Sequence, residues 1–324
     1  MKMKFPLLSK ERARVRVRSD PDLTVKIGSL TMSNPVMVAS GTFGYGEEYS
    51  KVIDLATLGA IVVKSVTLTP RKGNPGPRTA ETPSGMLNSI GLQNVGVDGF
   101  LLKKLPFLRQ FHVPIIVNIA GNTIQEYAQI TEKLAQSEGI AALELNLSCP
   151  NVKEGGLILG ADPKAIFNCV EVVKKVSPWP VITKLTPNVT DIVQIARAAV
   201  EAGSDGLAII NTLVGMAIDT RTRRPKIASI TGGLSGPAIR PVAVRMAWQV
   251  HRAFPAVPIV GMGGVEDTDS ALEFILAGAS AVAVGTANFY NMHATGQIVK
   301  GLRDYLRRNK ERSLSGIVGT VQAT

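Results

Sequence analysis

Cysteine is nearly missing from this chain: Cys149 and Cys169 are the only two among 324 residues. Two thiols can neither build a disulfide framework nor ligate an iron–sulfur cluster unaided, so a reducing, cytoplasmic setting is expected and any cluster must sit on another chain. No apolar run approaches the roughly 18 residues of a membrane span, which leads us to expect a soluble protein with no membrane partner. No Gly-x-Gly-x-x-Gly follows a strand pattern, which argues against a nicotinamide dinucleotide bound in the Rossmann manner. Low-complexity segments, domain linkers and any repeat beyond a βα unit are missing too, and no metal-ligand set is expected.

The net charge of +11 suggests nucleic acid until its distribution is considered. Residues 1–20 account for +5 and residues 300–312 for +4, leaving about +2 for everything between. A basic body is therefore not shown, and no nucleic-acid partner is expected. The start, with Arg12, Arg14, Arg16 and Arg18 alternating, lacks the apolar core of a secretory signal, and Glu11 and Asp20 weaken a transit-peptide reading. We expect a flexible basic arm over 1–20, one domain over 21–312 and a tail over 313–324.

With 45% hydrophobic residues the chain can bury one large core. Eight short apolar runs read as strands: Val36–Ala39, Ala60–Lys64, Pro114–Asn118, Ala141–Leu147, Pro180–Leu185, Gly206–Ile210, Pro258–Gly261 and Ala281–Val284. Amphipathic helical patterns lie between most of them, among them Ile124–Gln136, Asp191–Ala202, Thr268–Ala277 and Ile298–Arg308. Buried strands alternating with helices predict an α/β fold, the (β/α)8 TIM barrel. Thr24 to Met32 predicts a small hairpin turning at Gly28-Ser29 that could plug one end. Two long excursions, Thr67–Gly96 and Thr212–Pro237, follow strands and should hang over the catalytic face.

The stretch from Leu143 to Asn151 is organised for chemistry. Leu143, Leu145 and Leu147 alternate with Glu144, Asn146 and Ser148, so the strand carries a polar face. Pro150 should end it near Cys149 and leave the thiol at the tip, where barrels keep their functional groups. A lone Cys is ordinarily a small buried hydrophobe, but Asn146, Ser148 and Asn151 flank this one. Polar residues recur at the other strand ends, with Lys64, Asn118, Lys184 and Asn211-Thr212 at what read as equivalent heights, describing a cavity for a planar, hydrogen-bonding ligand. Gly261-Met262-Gly263-Gly264 after strand seven and Gly285-Thr286 after strand eight match the place where barrels grip phosphate on backbone N–H groups.

These residues resemble a known family. Asn-Leu-Ser-Cys-Pro-Asn at 146–151, continuing to Gly156, is similar to the catalytic loop of class 1 dihydroorotate dehydrogenases. Asn88 to Asn94 resembles the family's substrate loop, and Thr231 to Pro237 its later flavin-contacting segment; together the motifs look most like subclass 1B. The resemblance covers nearly all of the chain after about residue 22, and the basic arm departs from it.

The resemblance implies FMN, contacted by Ser40, Lys64, Ser65, Asn118, Asn146, Lys184, Ile210, Gly236, Gly263, Gly264, Gly285 and Thr286. It implies dihydroorotate as substrate, touched by Lys64, Asn88, Ser89, Ile90, Gly91, Leu92, Asn146, Asn151, Asn211 and Thr212. Cys149 would take a proton from C5 and the flavin a hydride from C6, while Lys184 would stabilise charge on the ring. It further implies a homodimer of this chain with a partner subunit on each copy, a heterotetramer in which the partner holds FAD and a [2Fe–2S] cluster and passes electrons to NAD. Gly155, Gly156 and Gly160 suggest a mobile lid. Rival readings are a dihydropyrimidine dehydrogenase, a tRNA-dihydrouridine synthase, and a barrel that only binds a phosphorylated metabolite.

Overall fold

The computed structural model describes residues 20–147, 153–154 and 157–322. Eight parallel strands, β1 (Val36–Val38), β2 (Ala60–Val62), β3 (Ile115–Ile119), β4 (Ala142–Asn146), β5 (Val181–Leu185), β6 (Gly206–Ile209), β7 (Ile259–Met262) and β8 (Ala281–Val284), close in chain order, with β8 pairing to β1. Every residue of these strands is buried except Asn146, which ends β4 with partial exposure. Burial on both faces explains why they read as near-continuous apolar runs rather than as alternating ones. This is the (β/α)8 barrel that the sequence predicts.

Six long helices surround the barrel: α1 (Ile124–Leu134), α2 (Pro163–Val176), α3 (Ile192–Glu201), α4 (Arg240–Ala253), α5 (Thr268–Leu276) and α6 (Ala294–Arg308). Several start on side-chain caps that satisfy otherwise orphaned N–H groups: Thr123 accepts from Glu126 N, Asp162 from Lys164 N, and Asp191 from Val193 N and Gln194 N. Asp267 and Ser270 cap each other reciprocally at α5. The first two helical positions are irregular. After β1 there are only single turns at Tyr49–Lys51 and Leu55–Thr57, and after β2 the helix from Gly96 to Phe111 widens to a π-turn over Phe100–Lys104, just before Pro106, whose ring nitrogen cannot donate to the preceding turn.

The predicted hairpin forms from Val25–Ile27 and Leu30–Met32 and turns at Gly28-Ser29. Its side chains Ile27 and Met32 are fully buried. Gly28 lies against Pro180, just before β5, and Ile27 against Gly206, the first residue of β6, so the hairpin plugs the amino mouth of the barrel. At the carboxyl mouth the two predicted excursions do more than overhang. They join in one antiparallel sheet ordered Leu213–Met216, Thr231–Ser235, Gly85–Asn88, Thr79–Thr82, with Gly233 opposite Asn88 and Leu234 opposite Leu87.

Candidate active site

At the carboxyl mouth the strand ends are joined by two sets of polar contacts. Lys184 Nζ on β5 donates to Ser40 Oγ after β1 at 3.4 Å and stands 3.6 Å from Glu144 Oε1 on β4. Asn118 Nδ2 on β3 donates to the same Glu144 oxygen at 2.6 Å. One residue pair further along β4, Asn146 Nδ2 reaches Ser65 Oγ after β2 at 3.3 Å, and Asn211 Nδ2 after β6 reaches Asn146 Oδ1 at 3.3 Å. Tyr127 on α1 donates to the Asn146 carbonyl at 2.7 Å and anchors the end of the strand. These groups are not at one height. Strand register places Asn118 beside Glu144 and Lys184 beside Asn146, so the lining is staggered over two layers, as the tilt of barrel strands requires.

Two groups in this lining are left without partners among the described residues. Asn118 is fully buried, yet its Oδ1 accepts nothing. Lys64, half-buried past the end of β2, makes no ion pair. Burial pushes its ammonium below the usual lysine range, Arg78 pushes the same way, and Glu48 opposes both. A buried polar group is stable when paired, so an unsatisfied acceptor and an unpaired cation at the ends of neighbouring strands mark places for a ligand.

The rest of the predicted substrate loop is held from behind. Asn74 donates to Ser89 Oγ at 2.8 Å and to the Ile90 carbonyl through its backbone at 3.0 Å. Arg78 donates to the Asn74 carbonyl and, at 2.6 Å, to Gln93. Asn94 braces Leu92 O and Thr67. The joined sheet then carries Asn88 to the far side of the mouth, where its Nδ2 donates to Gly233 O at 3.2 Å. Gly233 has no room for a side chain, since a Cβ there would stand 2.1 Å from Thr212 Oγ1. Asn88 and Thr212, 124 positions apart in the numbering, therefore meet across one glycine. Thr212 is further fixed by Asn211, whose Oδ1 accepts from its backbone N–H at 2.9 Å, and by Asn188.

The glycines named for a phosphate grip come close together. Gly236, Gly263 and Gly264 have φ of +97°, +119° and +86°. A Cβ on Gly264 would stand 2.7 Å from Arg240 Cβ and 3.0 Å from the Gly236 carbonyl, so the turn after β7 lies directly on the start of α4. Thr286 after β8 donates to Ser235 Oγ at 2.9 Å and closes the third side. Backbone turns facing a helix N-terminus suit an anion. Ile210 lies in the floor, its N–H bonded to Met262 O, and Gly285 adjoins Ala39 without being sterically required to be glycine.

Cys149 and Asn151 lie outside the described residues, as do Gly155 and Gly156 of the predicted lid. Gly160 is buried in the turn Leu159–Ala161, against the Leu147 carbonyl. Cys169 is buried in α2 as a core residue. The residue that sequence reasoning passed over is Glu144. Its place on the polar face of β4, two before Asn146, was the available signal. Among the described residues no helix is long and apolar enough to cross a membrane.

The model of the dihydroorotate dehydrogenase family matches residues 22–306. A protein of Desulforamulus reducens is 57% identical over 298 residues, 92% of this chain and 98% of its own length. Those of Geotalea daltonii and Geobacter sulfurreducens are 54% and 53% identical over 302 residues, 93% of this chain and 99% of each of theirs. All three are named dihydroorotate dehydrogenase B (NAD(+)), catalytic subunit. A barrel with these amide-lined strand ends, this braced loop and relatives of this identity over nearly its whole length leaves one assignment: the chain belongs to the dihydroorotate dehydrogenase family, and the likeness is to its NAD-linked B form.

Proposed function

We propose that this chain is the catalytic subunit of an NAD-linked dihydroorotate dehydrogenase and oxidises (S)-dihydroorotate to orotate in pyrimidine biosynthesis. The observation that carries the choice of substrate is Lys64. A half-buried ammonium that makes no ion pair among the described residues, beside a braced loop of amides, is suited to a ring bearing a carboxylate. An uncharged dihydropyrimidine would leave it unpaired, and nothing at this mouth favours a polynucleotide.

The residues fit FMN. Gly236, Gly263, Gly264, Gly285 and Thr286 form an anion cradle at one end of the mouth, and the orphaned Asn118 Oδ1 is an acceptor for an imide N–H at the other. Ser40, Lys64, Ser65, Asn146, Lys184 and Ile210 would line the body of the site. FMN, when bound, supplies the hydride acceptor.

The protein's own residues do the rest. Lys64 would hold the substrate carboxylate, with Asn88, Ser89, Ile90, Gly91, Leu92, Asn146, Asn151, Asn211 and Thr212 fixing the ring by hydrogen bonds and shape. Cys149 would remove the C5 proton, which the neighbouring carbonyl acidifies; with an ordinary thiol pKa of about 8.5, only a minor fraction is ready at neutral pH unless the site lowers it. Lys184 would balance negative charge that accumulates in the cavity.

Electrons must then leave a chain with no dinucleotide fingerprint. We assign the next step to a partner subunit carrying FAD and a [2Fe–2S] cluster that reduces NAD, two of each subunit forming a heterotetramer in the cytoplasm. The test is purified chain with dihydroorotate and NAD, with and without co-expressed partner. Dye reduction by the chain alone and NADH formation only with the partner are expected. NADH formation by the chain alone would overturn the partner assignment, and fumarate reduction by it would move the chain to the 1A form.

A further inference from the structure

Glu144 is a carboxylate buried beneath the site, and none of the roles assigned above uses it. It is 2% exposed, its neighbours Asn118 and Lys184 are 0% and 5% exposed, and it touches both, at 2.6 and 3.6 Å. A carboxylate only accepts, so the atom of Asn118 that faces it must be the amide nitrogen. The amide oxygen is thereby turned away from Glu144, and it is this oxygen that has no partner. The same carboxylate is the only acidic group in ion-pair contact with Lys184 among the described residues, and it leaves that ammonium balanced rather than bare. One buried charge therefore sets both an amide orientation and a cation.

We propose that Glu144 is a positioning residue for the flavin: it holds Asn118 as an acceptor toward the cavity and offsets the Lys184 charge, so that it sets how much more tightly the protein binds reduced than oxidised FMN. This rests on the reading of the mouth as an FMN site. A charge in a low-dielectric interior acts strongly on its surroundings. Removing the carboxylate while keeping its shape leaves Lys184 uncompensated, which favours the more negatively charged reduced flavin.

The experiment is a reductive titration of the FMN-loaded protein at pH 6, comparing wild type with Glu144→Gln and Glu144→Asp. Gln is nearly isosteric and loses the charge; Asp keeps the charge and loses a methylene. We expect E144Q to raise the ratio of oxidised to reduced FMN dissociation constants at least tenfold, which for a two-electron couple is a potential higher by about 30 mV. E144D should stay within threefold of wild type. A role in packing alone gives the opposite order, with Gln harmless and Asp the more damaging in thermal unfolding, and no shift in potential. An unchanged or lowered potential in E144Q overturns the proposal, as does an E144D shift equal to that of E144Q. If E144Q does not fold, Glu144→Ala, which also loses the charge, takes its place beside E144D: the same tenfold rise in the ratio supports the role of charge, and an unchanged or lowered potential overturns it. A wild-type protein that purifies without flavin absorbance and takes up no added FMN removes the site reading itself, a result distinct from a flavin-loaded E144Q of normal potential.

Discussion

The two mouths of the barrel are built from the same eight strands and have opposite chemistry. At the amino mouth Ile27 and Met32 of the hairpin are fully buried, with Ile27 against Gly206, the first residue of β6, and Gly28 against Pro180, just before β5. At the carboxyl mouth, Asn118, Glu144, Asn146, Lys184 and Asn211 are linked in pairs, while Asn118 Oδ1 and the Lys64 ammonium are among the groups left without a partner among the described residues. The difference teaches that the scaffold separates its tasks by end. Apolar closure at one end supplies stability, and the other end can then hold polar groups whose partners are ligands.

The sharpest way to break that separation is at the carboxyl mouth. Cys149→Ser should keep FMN and lose roughly 10²- to 10⁴-fold in turnover at pH 7, because a hydroxyl is a far poorer base than a thiol. Visible absorbance and steady-state rates check it, and near-wild-type turnover would remove Cys149 from the role of base. The counterpart at the amino mouth is Ile27→Ala, which empties a fully buried site. It should cost about 2–5 kcal/mol in unfolding free energy and leave kcat/KM of the folded protein within about twofold. A large kinetic effect would show that the two ends are coupled.

A third prediction follows from the Lys64 ammonium, which burial holds below its usual value. A carboxylate ligand needs the protonated form and raises its pKa again, so the sign is fixed: orotate affinity is constant below the free protein's Lys64 pKa and falls, up to tenfold per pH unit, as pH rises through it toward 10.5. In the protein without ligand the same shift acts the other way, and this group's contribution to stability rises with pH across that window, because the unfolded chain binds the proton more tightly. Lys64→Gln should weaken orotate about 10- to 100-fold and abolish the pH dependence. Uracil, lacking the carboxylate, should bind wild type poorly and be little affected by the substitution. Equal inhibition by orotate and uracil would instead favour an uncharged substrate.

How much of this was legible in the chain depends on how local each feature is. The hairpin turn at Gly28-Ser29 and the strand Ala281–Val284 were read at their observed positions, because turn chemistry and apolar runs are local signals. The strand reaching Leu147 was read one residue too long at each end, and it stops at Asn146. The staggering of the polar residues was misread as one height, since register between neighbouring strands is absent from any single strand's sequence. Likewise the joining of the two excursions depends on Gly233 pairing with Asn88, a contact between segments that only the closed barrel brings together. Glu144 was seen as polar but not as functional. Its meaning lies in Asn118 and Lys184, one strand away on either side.

The smallest effect is the one that tests whether position at the carboxyl end is enough to make a residue functional. Asp191 follows β5 and so belongs to the same mouth, yet its side chain turns back to accept from Val193 N at 2.8 Å and Gln194 N at 3.3 Å, capping α3. Among the described residues its bonds are all to the helix it begins, and none reaches the polar contacts around Asn146. Asp191→Ala should therefore cost about 1 kcal/mol in stability, as the loss of an N-cap does, whereas Asp191→Asn, which retains a capping oxygen, should cost much less. Neither variant should change FMN affinity, orotate affinity or kcat by more than about twofold. Chemical denaturation with unchanged slope, read beside the kinetics of the folded protein, checks both halves. A kinetic loss in Asp191→Ala that Asp191→Asn does not share would mean that the start of α3 positions the strand end bearing Lys184, and the boundary between scaffold and site would then have to be drawn one loop further out.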